Sequence, residues 1–180
     1  GEMLSLVGGS GTGKTVLLSG SGNVSQYACE KLLQLGAKVI TMSDSEGTLH
    51  IPEGIDTAKL AQIMNLKNVQ RGRLSAFAAE HGHSFEAGKR PWHIKADVAM
   101  PCATQNELEA DDADALLANG CICVAEGANM PATLEAVDKF IHARILYAPG
   151  KASNAGGVAT SGLEMSQNAL RLSWTRNELD

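Results

Sequence analysis

Lys14-Thr15-Val16-Leu17-Leu18-Ser19-Gly20-Ser21-Gly22-Asn23-Val24-Ser25 is the stretch of this 180-residue chain that decides its fold. The first half is a β-rich apolar run and the second a glycine turn, after which Val24, Ala28, Leu32 and Leu35 recur at spacings of three and four. That spacing is the apolar stripe of a helix, expected from about Asn23 to Leu35 with Gly36 as its stop. A strand, a glycine turn and a helix in this order bring backbone N–H groups to a helix N-terminus, where a phosphate is well received. Gly20 permits the tight turn and Gly22 the close approach of a dinucleotide's pyrophosphate, with Ser21 between them in the same cofactor loop. Ser25 stands where the motif's third glycine would pack helix on strand, and it is small enough to serve.

A second glycine motif overlaps the first. Gly8-Gly9-Ser10-Gly11-Thr12-Gly13-Lys14-Thr15 satisfies the P-loop pattern, with Lys14 as phosphate cation and Thr15 as magnesium ligand. A P-loop requires a helix that starts at Lys14. The run Thr15-Val16-Leu17-Leu18-Ser19 is instead β-rich and is soon broken by Gly20 and Gly22, so no helix of ordinary length fits there. The dinucleotide motif is expected to govern, and a P-loop nucleotide hydrolase is the rival.

Outward from this stretch, short β-rich runs alternate with helical patterns, the signature of β-α units and a parallel sheet. A second strand, Lys38 to Ser43, is expected to carry Asp44 at its C-terminal end, where open parallel sheets bind ligands. Asp44 comes after Gly22 at about the spacing, roughly 20 residues, of a ribose-binding carboxylate; a turn residue capping the next segment is the alternative. Further strands are read at Ala96 to Met100, Ile122 to Ala125 and Ile145 to Ala148. Helices are read near Ala58 to Val69, Leu74 to Glu80, Asp111 to Asn119, Thr133 to Ala143 and Ala155 to about Leu172. The fold class is therefore α/β, a Rossmann-like doubly wound, mostly parallel sheet with helices on both faces. One dinucleotide-binding domain is expected over 14–180, preceded at 1–13 by the end of an inter-domain helix and a linker.

With 44% hydrophobic residues, 19% charged and a net charge of -5, neither disorder nor a membrane span is indicated, and a nucleic-acid partner would need a basic clustering that is absent. Lys89-Arg90 and Arg71-Gly72-Arg73 read as solvated pairs. The opening Gly1-Glu2-Met3-Leu4-Ser5-Leu6-Val7 has an acidic start and too short an apolar run for a signal peptide, so a cytoplasmic location is expected. Cys29, Cys102, Cys121 and Cys123 lack the paired spacing of a zinc site and read as reduced, buried thiols, with Cys121 and Cys123 on one face of a strand. No metal site is expected, and none of the five histidines is assigned a catalytic role.

Three longer motifs carry a family resemblance. They are Pro101-Cys102-Ala103-Thr104-Gln105-Asn106, Ala125-Glu126-Gly127-Ala128-Asn129-Met130-Pro131, and the run of small residues and amides from Asn154 to Asn168. Together they make the chain resemble the cofactor half of glutamate dehydrogenase, nearest to the hexameric, usually NADP-linked type, over about Gly13 to Asp180. The resemblance implies an oxidoreductase that interconverts L-glutamate with 2-oxoglutarate and ammonia by hydride transfer. It places Ala103 and Thr104 along the cofactor, with Gln105 and Asn106 bracing the loop; Asn106 as a cap of the next helix is the alternative. It places Asn129 beside the nicotinamide and its ribose, with Asn154 sharing that work. Val158 and Ser161 it assigns to the side-chain carboxylate of the substrate.

Asp44 alone favours NAD, because a carboxylate repels a 2′-phosphate. Ser43-Asp44-Ser45, however, looks like the NADP-linked members, where hydroxyls such as that of Ser45 and distant basic residues receive the phosphate, so NADP is expected and NAD is the alternative. In the resembled family the catalytic lysine and aspartate come from a separate N-terminal domain. No catalytic residue is expected here, and the chain reads as a cofactor domain inactive alone, a monomer or weak dimer drawn from a homo-hexamer. A stand-alone dinucleotide-binding module, or a leucine or phenylalanine dehydrogenase of the same fold, is the nearer rival.

Overall fold

The computed structural model describes residues 13–171, 173–175 and 178. Residues 1–12 of the segment expected at 1–13, most of the P-loop match and the end of the last helix at Leu172 lie outside the described residues.

Alternation of apolar side chains builds the central sheet. Strands β1 (Thr15–Leu18), β2 (Lys38–Val39), β6 (Val98–Met100), β7 (Cys123–Ala125) and β8 (Leu146–Ala148) pair in the order β2-β1-β6-β7-β8, all parallel. Val16, Leu18, Val98, Met100, Cys123 and Ala125 point to one face, Leu17, Ala99 and Val124 to the other, and all are buried. Each face is covered, as an all-parallel sheet requires. Helices α1 (Asn23–Gln34), α2 (Thr57–Asn68) and α3 (Leu74–His81) cover the first face through Cys29, Leu32, Leu60, Ile63, Leu74 and Phe77. The second is covered by α4 (Ala110–Ala118), α5 (Leu134–His142) and the short 3-10 turn Pro91–His93, through Leu116, Phe140 and Trp92. The expected doubly wound α/β fold is what forms.

Strand β1 settles the competition between the glycine motifs. Residues 15–18, which a P-loop would make helical, pair in parallel with β2 and β6. Lys14 lies at the N-terminal end of that strand, where its ammonium pairs with Asp97 at 3.3 Å. The P-loop reading is thereby overturned.

Two further expectations are corrected. The run Lys38–Ser43 is two strands, because the chain leaves the parallel sheet after Val39 and continues as β3 (Thr41–Asp44). With β4 (Gly47–His50) and β5 (Ser84–Ala87), β3 makes a separate antiparallel sheet in the order β3-β4-β5. Side chains then supplement the backbone bonds beside β1: Thr41 Oγ1 accepts from Leu18 N at 3.0 Å and Ser43 Oγ from Gly20 N at 2.8 Å, while Ser43 N donates to Gly20 O at 3.1 Å. Cys121 and Cys123 do not share a strand face. Strand β7 begins at Cys123; Cys121 precedes it and packs into the opposite core.

Beyond β8 come the short helix α6 (Gly150–Ser153) and then α7 (Ala155–Leu170), which has no buried residue.

Candidate functional site

In the strand order β2-β1-β6, β1 sends its chain one way to β2 and β6 receives it on the other side, which makes the β1/β6 boundary the topological switch point where open α/β sheets bind ligands. A cavity of about 650 Å³ opens there between the loops at the ends of the two strands. It is lined by Gly20, Ser21, Gly22, Asn23 and Val24 after β1, by Asp44 at the end of β3 and Ser45 beyond it, and by Cys102, Ala103, Thr104 and Glu107 after β6. Gly88, Lys89 and Arg90, after β5, complete the wall.

Glycine is required at position 20. Its φ is +79°, and a Cβ there would stand 3.1 Å from Ala103 Cα and Cys102 O and run into Ser25 Oγ. Ser25 is buried, and its hydroxyl donates to Ser19 O at 2.8 Å, so the serine in the third-glycine position fits by making its own bond. Gly22 is the N-cap of α1 without a side-chain cap, and a Cβ there would meet nothing within 4 Å. The first turn of α1 thus presents its backbone amides to an open space, an arrangement that suits an anion.

Glu107, which no local sequence signal singles out, anchors the opposite loop. Only 4% exposed, its Oε1 accepts from Ser19 Oγ at 2.9 Å, Ala103 N at 2.8 Å and Thr104 N at 3.3 Å, while Ser19 Oγ accepts from Cys102 N at 2.8 Å. Arg90 Nη1 and Trp92 Nε1 donate to the Glu107 carbonyl at 2.5 and 3.3 Å. Burial pushes the Glu107 carboxyl above its ordinary value, against the lowering effect of these donors. Arg90 thus lines the cavity while its side chain stays exposed, as expected of a solvated charge.

Asp44 stands at the rim, and its oxygens are engaged from within. Oδ1 accepts from Glu46 N at 3.0 Å, and Oδ2 from Leu74 N at 3.0 Å and Lys67 Nζ at 3.2 Å. Burial alone would raise this carboxyl; the two backbone N–H groups and the Lys67 ammonium outweigh it and hold it below the ordinary carboxylate range. Next to it, Ser45 Oγ accepts from Arg73 Nη1 at 2.8 Å. Lys67, Arg73, Lys89 and Arg90 stand around this rim, each paired with a carboxylate: Asp44, Glu46, Glu86 and Glu109 in turn.

A second, more apolar cavity of about 870 Å³ lies on the other side of α1's first turn. Val24, Tyr27, Met100, Gly127, Asn154 and Val158 are among the residues that line it. Glu126, 4% exposed, fixes its floor: Oε1 accepts from Tyr147 Oη at 2.9 Å, Oε2 from Gly150 N at 2.7 Å, and its carbonyl from Ser153 Oγ. Asn129 is exposed in the loop after β7 and lines neither cavity; nor does Ser161, one turn beyond Val158 on α7. Among the described residues, a Cβ at Gly156 or Gly157 would meet nothing within 4 Å. Asn106 is not a helix cap. It has φ +54°, and Glu109 caps α4 through a capping box with Asp112. Gln26, Lys67, Asn68 and Glu107 escape sequence reasoning because each has a partner distant along the chain: Gln26 with Asn68, Lys67 with Asp44, and Glu107 with Ser19.

Comparison with known proteins agrees with this geometry. The sequence pattern of the Glutamate/Leucine/Phenylalanine/Valine dehydrogenase family matches residues 1–180. An NAD(P)-specific glutamate dehydrogenase of Xylanibacter ruminicola is 60% identical over 179 residues, 99% of this chain and 40% of that protein. An NADP-specific glutamate dehydrogenase of Haemophilus influenzae is 56% identical, again over 99% of this chain and 40% of its own length. The crystal structure of Plasmodium falciparum glutamate dehydrogenase superposes with a TM-score of 0.92 at 43% identity, over 99% of this chain and 38% of that one. The chain spans about 40% of the length of the relatives it matches. On pattern, identity and fold together, it belongs to the Glutamate/Leucine/Phenylalanine/Valine dehydrogenase family.

Proposed function

We propose that this chain is the dinucleotide-binding part of an NADP-linked glutamate dehydrogenase, over 14–180. Such an enzyme interconverts L-glutamate with 2-oxoglutarate and ammonia. The observation that carries the reading is the cavity at the switch point, where Gly20 to Val24, Asp44, Ser45, Ala103 and Thr104 meet. It fits a dinucleotide because the uncapped first turn of α1 faces open space above Gly22, the requirement for a pyrophosphate. The cofactor, when bound, accepts or supplies the hydride exchanged at the substrate Cα.

The chain's own residues bind and orient. Gly20, Ser21, Gly22, Asn23 and Val24 receive the pyrophosphate on backbone amides. Ser45, Arg73, Lys89 and Arg90 receive the 2′-phosphate, and Asp44, neutralised by Lys67 and turned inward, does not repel it. Ala103 and Thr104, held by Glu107, lie along the cofactor. Asn129 and Asn154 orient the nicotinamide end, and Val158 and Ser161 face the substrate's side-chain carboxylate. No catalytic base is assigned within the chain. We place it in the part of the relatives' length that this chain does not span, along with most contacts of a hexamer. A cytoplasmic location accords with a family acting on free amino acids, and among the described residues no helix is long and apolar enough to cross a membrane.

Calorimetric titration of the chain with NADPH and NADH at one ionic strength tests the reading. NADPH is expected to bind more tightly. Preference for NADH overturns the 2′-phosphate assignment, and binding of neither overturns the site.

A further inference from the structure

The side chain of Gln26, on the first turns of α1, is 1% exposed and fully used. Its Nε2 donates to Ser21 O at 2.8 Å and to Asn68 Oδ1 at 3.0 Å, and its Oε1 accepts from Asn68 Nδ2 at 2.9 Å. The orientation of the amide is fixed, because the reverse would set an oxygen against the Ser21 carbonyl. Asn68 is the last residue of α2, next to Lys67, which holds Asp44. A single helical turn outside the sheet therefore supports both the phosphate loop and the turn after β3.

We infer that Gln26 and Asn68 form a positioning pair that sets which way the Ser21–Gly22 peptide faces, and through it the loop's grip on a dinucleotide's pyrophosphate. The peptide bond is trans, so the carbonyl of Ser21 and the N–H of Gly22 point in opposite directions. Gln26 draws the carbonyl toward the body of the protein. The N–H of Gly22 is left facing outward, at the position that lines the cavity and has no atom within 4 Å of a Cβ. Without the pair, this peptide can rotate, because Gly22 has no side chain to oppose the flip. Asn68 in turn keeps the Gln26 amide in the one orientation that donates to Ser21. The inference rests on the dinucleotide reading above and adds to it residues that touch no ligand.

The test compares two probes on the 180-residue chain: NADPH, which has a pyrophosphate, and adenosine 2′-monophosphate, which does not. NADPH is followed by calorimetry and the weaker probe by chemical-shift titration. Gln26→Glu keeps the shape but removes the donor to Ser21 O. It is expected to weaken NADPH about tenfold, the size of one buried hydrogen bond, and the 2′-monophosphate by less than about twofold. Asn68→Leu leaves the Ser21 bond possible and is expected to cost NADPH about threefold. The double variant should lose less than the product of the two, because both act on one peptide. Asn68→Leu carries the test alone should Gln26→Glu fail to fold. Unchanged NADPH affinity in these variants, or equal weakening of both probes, overturns the inference while leaving the dinucleotide reading intact. Failure of the unaltered chain to bind NADPH overturns both.

Discussion

The two cavities on either side of α1's first turn are built in opposite ways. The first is backed by polar groups that already have their partners: Ser19, Ser25, Gln26, Ser43 and Glu107 are all buried and hydrogen-bonded to groups both near and far along the chain. The second is closed on one side by α7, where Val158 is 73% and Met165 71% exposed and no residue is buried. Buried polar networks are rigid when every member is satisfied. The switch-point side is therefore preorganised within this chain, while the side next to α7 is left exposed. The contrast matches a chain that spans about 40% of its relatives.

Removing the Glu107 carboxylate should break the contrast most severely. Glu107→Leu strips the acceptor from Ser19 Oγ, Ala103 N and Thr104 N and should cost about 3 kcal/mol in chemical denaturation. The corresponding change on the open side, Met165→Ser, should stay within about 0.5 kcal/mol. Glu107→Gln adds a pH test. The folded carboxyl lies above its ordinary value of 4.5, so its contribution to stability is full below that pH and is lost as pH rises through the folded value. The glutamine variant should lack this decline.

A smaller loss is expected at the glycines. Gly20→Ala meets positive φ and close backbone, and should cost about 2 kcal/mol. Gly156→Ala, on open α7, should gain up to about 1 kcal/mol. Thermal unfolding of the pair reads both, and equal shifts would remove the distinction between the two sides.

Asp44→Asn removes the ion pair with Lys67 and should cost about 1.5 kcal/mol at neutral pH. The sign of its pH dependence is opposite to that of Glu107. Asp44 lies below its ordinary 3.8, so its stabilisation is present above that pH and is lost as pH falls through the folded value. Acid titrations of the two proteins should converge at low pH. Smallest is the cap comparison: Thr133 Oγ1 accepts from Ala136 N at the start of α5, and Thr133→Ala should cost about 1 kcal/mol. Asn154 makes no side-chain cap bond to α7, and Asn154→Ala should change stability by less than about 0.5 kcal/mol.

The range of each interaction decides how legible it is in the sequence. The path from β1 through Gly20 to α1 is local, with a period of two giving way to one of 3.6, and its elements form within a residue or two of the expected bounds. The break after Val39 is invisible, because Val39-Ile40-Thr41-Met42 contains no breaker. Ile40 is turned by tertiary bonds, its N–H donating to Val16 O while its carbonyl accepts from Ile51 N. Strands β4 and β5 leave no signal because Gly47-Thr48-Leu49-His50 and Ser84-Phe85-Glu86-Ala87 each carry a single large apolar residue, unlike the apolar runs of the parallel strands. At the site, the motif residues are legible and their supports are not. Gln26 and Asn68 lie 42 residues apart, Ser19 and Glu107 88 apart, and no local pattern links either pair.

In this chain the amides of α7 are covered only by the helix itself, which is interrupted by Gly156, Gly157 and Gly162. A lone helix of this length and glycine content opens readily, so its amides exchange with solvent early and a protease finds its first purchase between 155 and 171. The portion that survives such a cut still brings Gly20, Asp44 and Thr104 around one cavity. Proteolysis would thus separate the residues expected to choose the substrate from those expected to hold the cofactor, and leave the latter behind as the durable core.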